Sequence, residues 1–165
     1  MDVGDAVVLP VPVAQKAALW LRVRGRGRAV DPGMPEQDGA TDNLLSALAS
    51  LRQAERPLRL CAASRAQVLA IAESVGVARG LPFRGLLSAT TYSQAVRRVG
   101  DAAPYFDALL HDTWTVTRVQ TAGRPDAAGE DAWALLDCRI VPGRSTADVL
   151  AELRLIVGDQ VRIEG

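Results

Sequence analysis

Apolar and polar side chains alternate through Lys16–Arg28. Leu19, Leu21 and Val23 fall on one side and Trp20, Arg22 and Arg24 on the other, the period-two signature of a half-buried strand. Ala6–Val13 also reads as extended. Asp31-Pro32-Gly33-Met34-Pro35 is a turn, because two prolines and a glycine cannot continue a ladder. The period then becomes helical at about Thr41–Ala54, where Leu44, Leu48 and Leu51 share a face that Leu45 and Ala47 widen. Short helices follow between Arg56 and His111. Ser64 with Gln67 makes a capping-box signature ahead of Val68, Ile71, Ala72 and Val75, and Gly76 is a natural stop. Tyr92, Ala95, Val96 and Val99 repeat the pattern behind Thr91 and Gln94. Pro104 suits the first turn of a helix bearing Tyr105, Phe106, Leu109 and Leu110. Gly76–Ser88 reads as a loop.

Thr113–Thr121 is rich in β-branched residues and predicts a strand. Gly123–Asp131 (GRPDAAGED) predicts a loop. In Ala132–Val141 the residues Ala134, Leu136, Cys138 and Ile140 make one apolar face, while Asp137 and Arg139 share the other. Ser145 with Asp148 caps a helix carrying Val149, Leu150, Leu153, Ile156 and Val157, which Gly158 closes. Gln160–Glu164 is a last strand. With the middle block set aside, the order is strand, helix, strand, strand, helix, strand. This predicts an α+β fold of the ferredoxin-like βαββαβ type, an antiparallel sheet with two helices on one face. Residues 1–165 are expected to form one domain, with 56–111 as a helical insertion.

Composition narrows the chemistry. The 165 residues fit a prior of roughly 100–200 per domain. Nineteen Lys and Arg balance nineteen Asp and Glu, so a chain devoted to phosphate or an anionic membrane surface is disfavoured. His111 is the only histidine, which excludes a site built from several His ligands and leaves at most one triad. Cys61 and Cys138 lack C-x-x-C spacing and read as reduced, buried thiols. The acidic start Met-Asp-Val-Gly-Asp is unlike a signal peptide. No apolar run approaches the roughly 18 residues of a membrane span. The expectation is a cytoplasmic protein bound neither to membrane nor to nucleic acid.

Several constellations suggest chemistry. Gly25-Arg26-Gly27 after a strand resembles the start of a dinucleotide fingerprint, but the third glycine and the helix opening are missing. Arg22, Arg24, Arg26 and Arg28 alternate and would form a cationic row. An RNA-binding sheet also needs exposed aromatics, of which Trp20 is the one nearby. His111-Asp112 has no nucleophile elbow beside it and reads as a helix-end histidine. Arg139 either pairs with Asp137 or holds a carboxylate in a two-pronged fork; the ion pair is the simpler reading.

Three stretches carry a resemblance. PVAQKAALWLRVRGRGRAVDPGMP from Pro12, HDTWTV at His111–Val116 and LLDCRIVPGRSTADVLAELRLIVGDQVRIE at Leu135–Glu164 are similar to the dimerisation (lid) domain of one zinc-dependent family. That family comprises aminoacylase, carboxypeptidase S, acetylornithine deacetylase and succinyl-diaminopimelate desuccinylase. The likeness spans nearly the whole chain, and its C-terminal third is the most specific part. It implies a ferredoxin-like lid, often with a helical insertion, that associates as a homodimer through a sheet edge and neighbouring helices. It further implies a parent metallopeptidase or amidohydrolase cleaving N-acyl or peptide bonds next to a free carboxylate. The two zinc ions and the glutamate base of that reaction belong to a separate catalytic domain. The chain resembles the segment between the two halves of that domain. By itself it is expected to be non-catalytic and to hold neither metal nor cofactor. A fragment of an active zinc carboxypeptidase or deacylase is the alternative, and an RNA-binding ferredoxin-like module a third.

In the family the lid lends three polar groups to the substrate. A histidine in "GHGS" steadies the oxyanion, while an asparagine in "N-V-I-P" and the arginine of "D-x-R" grip the substrate carboxylate. Arg139 matches the arginine. Asp31 stands in the histidine slot, where a carboxylate would repel an oxyanion. Asp126 stands in the asparagine slot, in a loop that aligns one residue short, and would repel a substrate carboxylate.

Overall fold

The structure is a computed structural model that describes residues 2–3, 6–7, 13–28, 30–31, 33, 38–124 and 127–165. Its strands are β1 (Asp2–Val3), β2 (Ala6–Val7), β3 (Ala17–Gly25), β4 (Thr113–Arg124), β5 (Ala127–Ile140) and β6 (Val161–Glu164). Its helices are α1 (Ala40–Gln53), α2 (Ala62–Ser74), α3 (Val77–Gly85), α4 (Ala89–Arg98), α5 (Ala103–Leu110) and α6 (Thr146–Val157), with a 3-10 turn at Gly100–Ala102. The chain divides into two compact units. One comprises Met1–Ala17, Arg56–Thr113 and Val141–Gly143; the other comprises Ala18–Glu55, Trp114–Ile140 and Arg144–Gly165.

The second unit is the expected α+β sandwich. Its antiparallel sheet runs β4-β5-β3-β6, so β3 and β5, which are not consecutive, lie side by side at the centre. β3 pairs with β6 in the register Arg22↔Glu164, Val23↔Ile163 and Arg24↔Arg162. Strand parity then sends Leu21, Val23, Ala134, Leu136, Cys138, Val161 and Ile163 to one face, where they are buried. Leu44, Ala47 and Leu51 of α1 and Val149, Leu153 and Val157 of α6 complete that core. Full burial of one such leucine contributes about 1.5–3 kcal/mol. Trp114 Nε1 donates to Leu51 O at 3.0 Å, which fastens the start of β4 to the end of α1. At Ser145 the expected cap forms, its Oγ accepting from Asp148 N at 3.1 Å. Gly158 ends the helix at φ 73°, a left-handed value that suits glycine.

The first unit holds the helices α2–α5. Val68, Ile71, Phe83, Leu86, Phe106 and Leu110 form its separate core. Phe83 and Phe106 meet edge to face, with ring centroids 5.5 Å apart. The two ends of its Arg56–Thr113 segment are tied together: Arg59 N donates to Leu110 O at 2.7 Å, and Arg56 Nη2 to Asp107 Oδ2 at 2.9 Å.

Four local expectations need correcting. Most of Gly76–Ser88 is helix rather than loop, α3 covering Val77–Gly85, because Phe83 and Leu86 supply buried positions three apart and Gly80 packs against α2. A Cβ at Gly80 would stand 2.2 Å from Ala72 O. Pro82 lies inside this helix and lacks the N–H a long ladder needs, in keeping with its nine residues. α2 begins three residues earlier than the Ser64 signature implied. Cys61 is its N-cap, and Ser64 completes the reciprocal box as the third helical residue. β3 stops at Gly25, because a Cβ there would meet Ala40 O at 2.0 Å as α1 begins. The Gly123–Asp131 loop shrinks, since β4 runs on to Arg124 and β5 starts at Ala127. Backbone pairing extends this hairpin beyond the part that side-chain alternation reveals.

Candidate functional site

The sheet face turned away from α1 and α6 gathers the polar and aromatic strand residues. On β5 the even positions from Ala132 to Ile140 are buried, so the odd ones, Asp131, Trp133, Leu135, Asp137 and Arg139, project to the open side. Trp20, Arg22 and Arg24 of β3 and Arg162 of β6 are likewise exposed.

Arg139 sits near the end of β5. Its Nη2 donates to Asp137 Oδ2 at 2.8 Å, so the ion pair read from the sequence is formed. Asp137 raises the guanidinium's pKa, through this hydrogen bond first and its charge second. With one prong engaged by Asp137, the rest of the guanidinium fork is available to a ligand carboxylate. Asp31 is exposed and its Oδ1 accepts from Gly33 N at 2.8 Å, a local turn contact. Asp126 lies outside the described residues.

The row of four arginines is shorter than expected. Arg22 and Arg24 lie within β3, whereas Arg26 and Arg28 lie beyond its end; Arg26 Nη1 reaches Asp159 O at 3.4 Å. Arg24 pairs with Asp131 at 2.8 Å, and Arg162 with Glu164 at 3.6 Å. Gly25 and Gly27 serve close packing at the beginning of α1, not a phosphate cradle. A Cβ on Gly27 would stand 2.3 Å from Asp38 O.

Trp133 is the residue that sequence reasoning passed over. The Arg22 guanidinium stands over its ring at 4.8 Å from the centroid and that of Arg118 at 5.3 Å. Its signal was present in the parity that singled out Asp137 and Arg139. The partners Arg22 and Arg118 come from two other strands, and only the folded sheet order brings them together.

His111 caps the end of α5 and is buried, as a helix-end histidine. Its Nδ1 lies 3.0 Å from Asp107 O and 3.3 Å from Asp107 Oδ1, and the Tyr92 ring packs edge-on at 4.8 Å. Burial, with Asp107 beside it, pushes the Tyr92 phenol well above its ordinary pKa. Lys16 Nζ donates to His111 O, and desolvation lowers that ammonium's pKa against the opposing pull of Asp112. Asp112 Oδ1 accepts from Val141 N at 2.7 Å. These groups tie backbone segments together within the helical unit.

Neither cysteine is in a disulfide. Cys138 is buried in the sheet core, whereas Cys61 is only partly buried and caps α2. Burial raises the Cys61 thiol, but hydrogen bonds from Ser64 outweigh this and leave its pKa lowered.

Among the described residues no three His, Cys, Asp or Glu side chains converge into a metal-binding group. No helix among the described residues is long and apolar enough to cross a membrane. No family model and no curated protein matches the chain.

Proposed function

We propose that this chain is the dimerisation and lid domain of a zinc amidohydrolase-like protein and hydrolyses nothing by itself. The observation that carries this reading is the strand order β4-β5-β3-β6 with α2–α5 inserted between α1 and β4. That is the architecture the resemblance implies. It also leaves β4, twelve residues long, at the edge of an open sheet. Val116 and Val119 on this strand are 41 % and 50 % exposed. A long edge strand bearing exposed valines is a template for pairing, and a second copy satisfies it by two-fold symmetry.

The open face supports the lid role. Arg139 presents a partly engaged fork where a substrate carboxylate would be held, as the family's "D-x-R" arginine does. Asp31, carrying the wrong charge for an oxyanion, supplies no catalytic help from this chain. The retained Arg139 favours one second reading, a fragment of an active zinc carboxypeptidase or deacylase. Flanking gene segments encoding an H-x-D motif and a Glu-Glu pair would support it.

Light scattering tests the main reading. At about 100 µM the chain is expected at twice its monomer mass, and Val116→Lys with Val119→Lys should return it to monomer. A wild-type monomer at that concentration overturns the proposal.

A further inference from the structure

We infer that Trp133, Arg22 and Arg118 form an oxyanion-binding site on the open sheet face, separate from Arg139. Among the described side chains the open face carries five arginines: Arg22, Arg24, Arg118, Arg139 and Arg162. Three have a carboxylate at hand: Arg24 at 2.8 Å from Asp131, Arg139 at 2.8 Å from Asp137 and Arg162 at 3.6 Å from Glu164. Arg22 and Arg118 instead share one indole. Glu164 lies opposite Arg22 in the β3–β6 register, but its carboxylate turns to Arg162. Arg118 Nη2 donates to the neutral Gln120 Oε1 at 3.0 Å, which fixes its direction without neutralising it.

Two like charges are therefore gathered around one ring. Their distances to its centroid put the two guanidinium carbons at most about 10 Å apart. An oxyanion set between the two forks would take charge-assisted N–H···O bonds from each guanidinium. The mutual repulsion of Arg22 and Arg118 is what such an anion relieves, and the indole that both contact orders the two side chains in advance. The ligand class is a compound bearing a carboxylate or a phosphate, recognised through the same forks. Arg139 is six residues from Trp133 along β5, or about 20 Å at the rise of an extended strand, so one small anion cannot occupy both places.

The test uses the full chain at low ionic strength, titrated separately with sodium acetate, sodium phosphate and sodium chloride. The readouts are the Trp133 indole N–H and the arginine Nε–H resonances. The expected result is a saturable shift at Trp133, Arg22 and Arg118 with acetate or phosphate, not reproduced by chloride. The stronger of the two names the ligand chemistry. Arg22→Gln and Arg118→Gln, each checked for folding by circular dichroism, should each weaken binding about tenfold. Arg24→Gln should leave it within about twofold. Equal shifts with chloride, or affinity unchanged in both Arg22→Gln and Arg118→Gln, overturn the site. Dimerisation by light scattering does not depend on this outcome, so either proposal can fail without the other.

Discussion

At Gly25 the strand β3 leaves the sheet so close to the first turn of α1 that no side chain fits, since an added Cβ would lie 2.0 Å from Ala40 O. Gly25→Ala is expected to cost about 1–3 kcal/mol, read as a lower urea midpoint with unchanged slope. A second single-residue effect concerns Tyr92. Burial first, then the charge and hydrogen bond of Asp107, raise its pKa in the folded chain above the 10.0 of a free tyrosine. Above pH 10 the unfolded phenol loses its proton while the folded one keeps it. Its contribution to stability is therefore present below that pH and lost as pH rises toward the folded value. Tyr92→Phe should flatten this alkaline loss, measured as melting temperature against pH from 9 to 11. The Asp137–Arg139 pair was legible because residues two apart on a strand share a face. The flanking of Trp133 by Arg22 and Arg118 was not, because those contacts join three strands and depend on sheet order.

Single elements follow local chemistry where the cap is explicit. Ser145→Ala removes the acceptor for Asp148 N and should cost about 1 kcal/mol, visible as faster amide exchange in the first turn of α6. Both helices of the sandwich and the inward face of β5 were legible because their apolar spacing is regular and their ends are punctuated. α3 was not, because glycine and proline in Val77–Gly85 usually break helices, and its stability comes from Phe83 and Leu86 in a tertiary core. The far reaches of β4 and β5 were hidden for another reason. Hairpin pairing is a backbone affair, and neither proline nor glycine near the turn betrays how far it continues.

For the molecule as a whole, two separate apolar cores imply two separable responses to cavities. Leu136→Ala is expected to lower stability by about 2–5 kcal/mol and Phe106→Ala by about 3–5 kcal/mol. Each should first accelerate hydrogen exchange within its own unit, the sheet layer for Leu136 and α2–α5 for Phe106. Uniform acceleration across both units in either variant would contradict this. The contact between Arg59 N and Leu110 O, reinforced by Arg56 and Asp107, has a consequence of another kind. It holds the entry and the exit of the Arg56–Thr113 segment side by side within the helical unit. Lengthening a loop between α2 and α5 should therefore leave the spacing of that entry and exit unchanged.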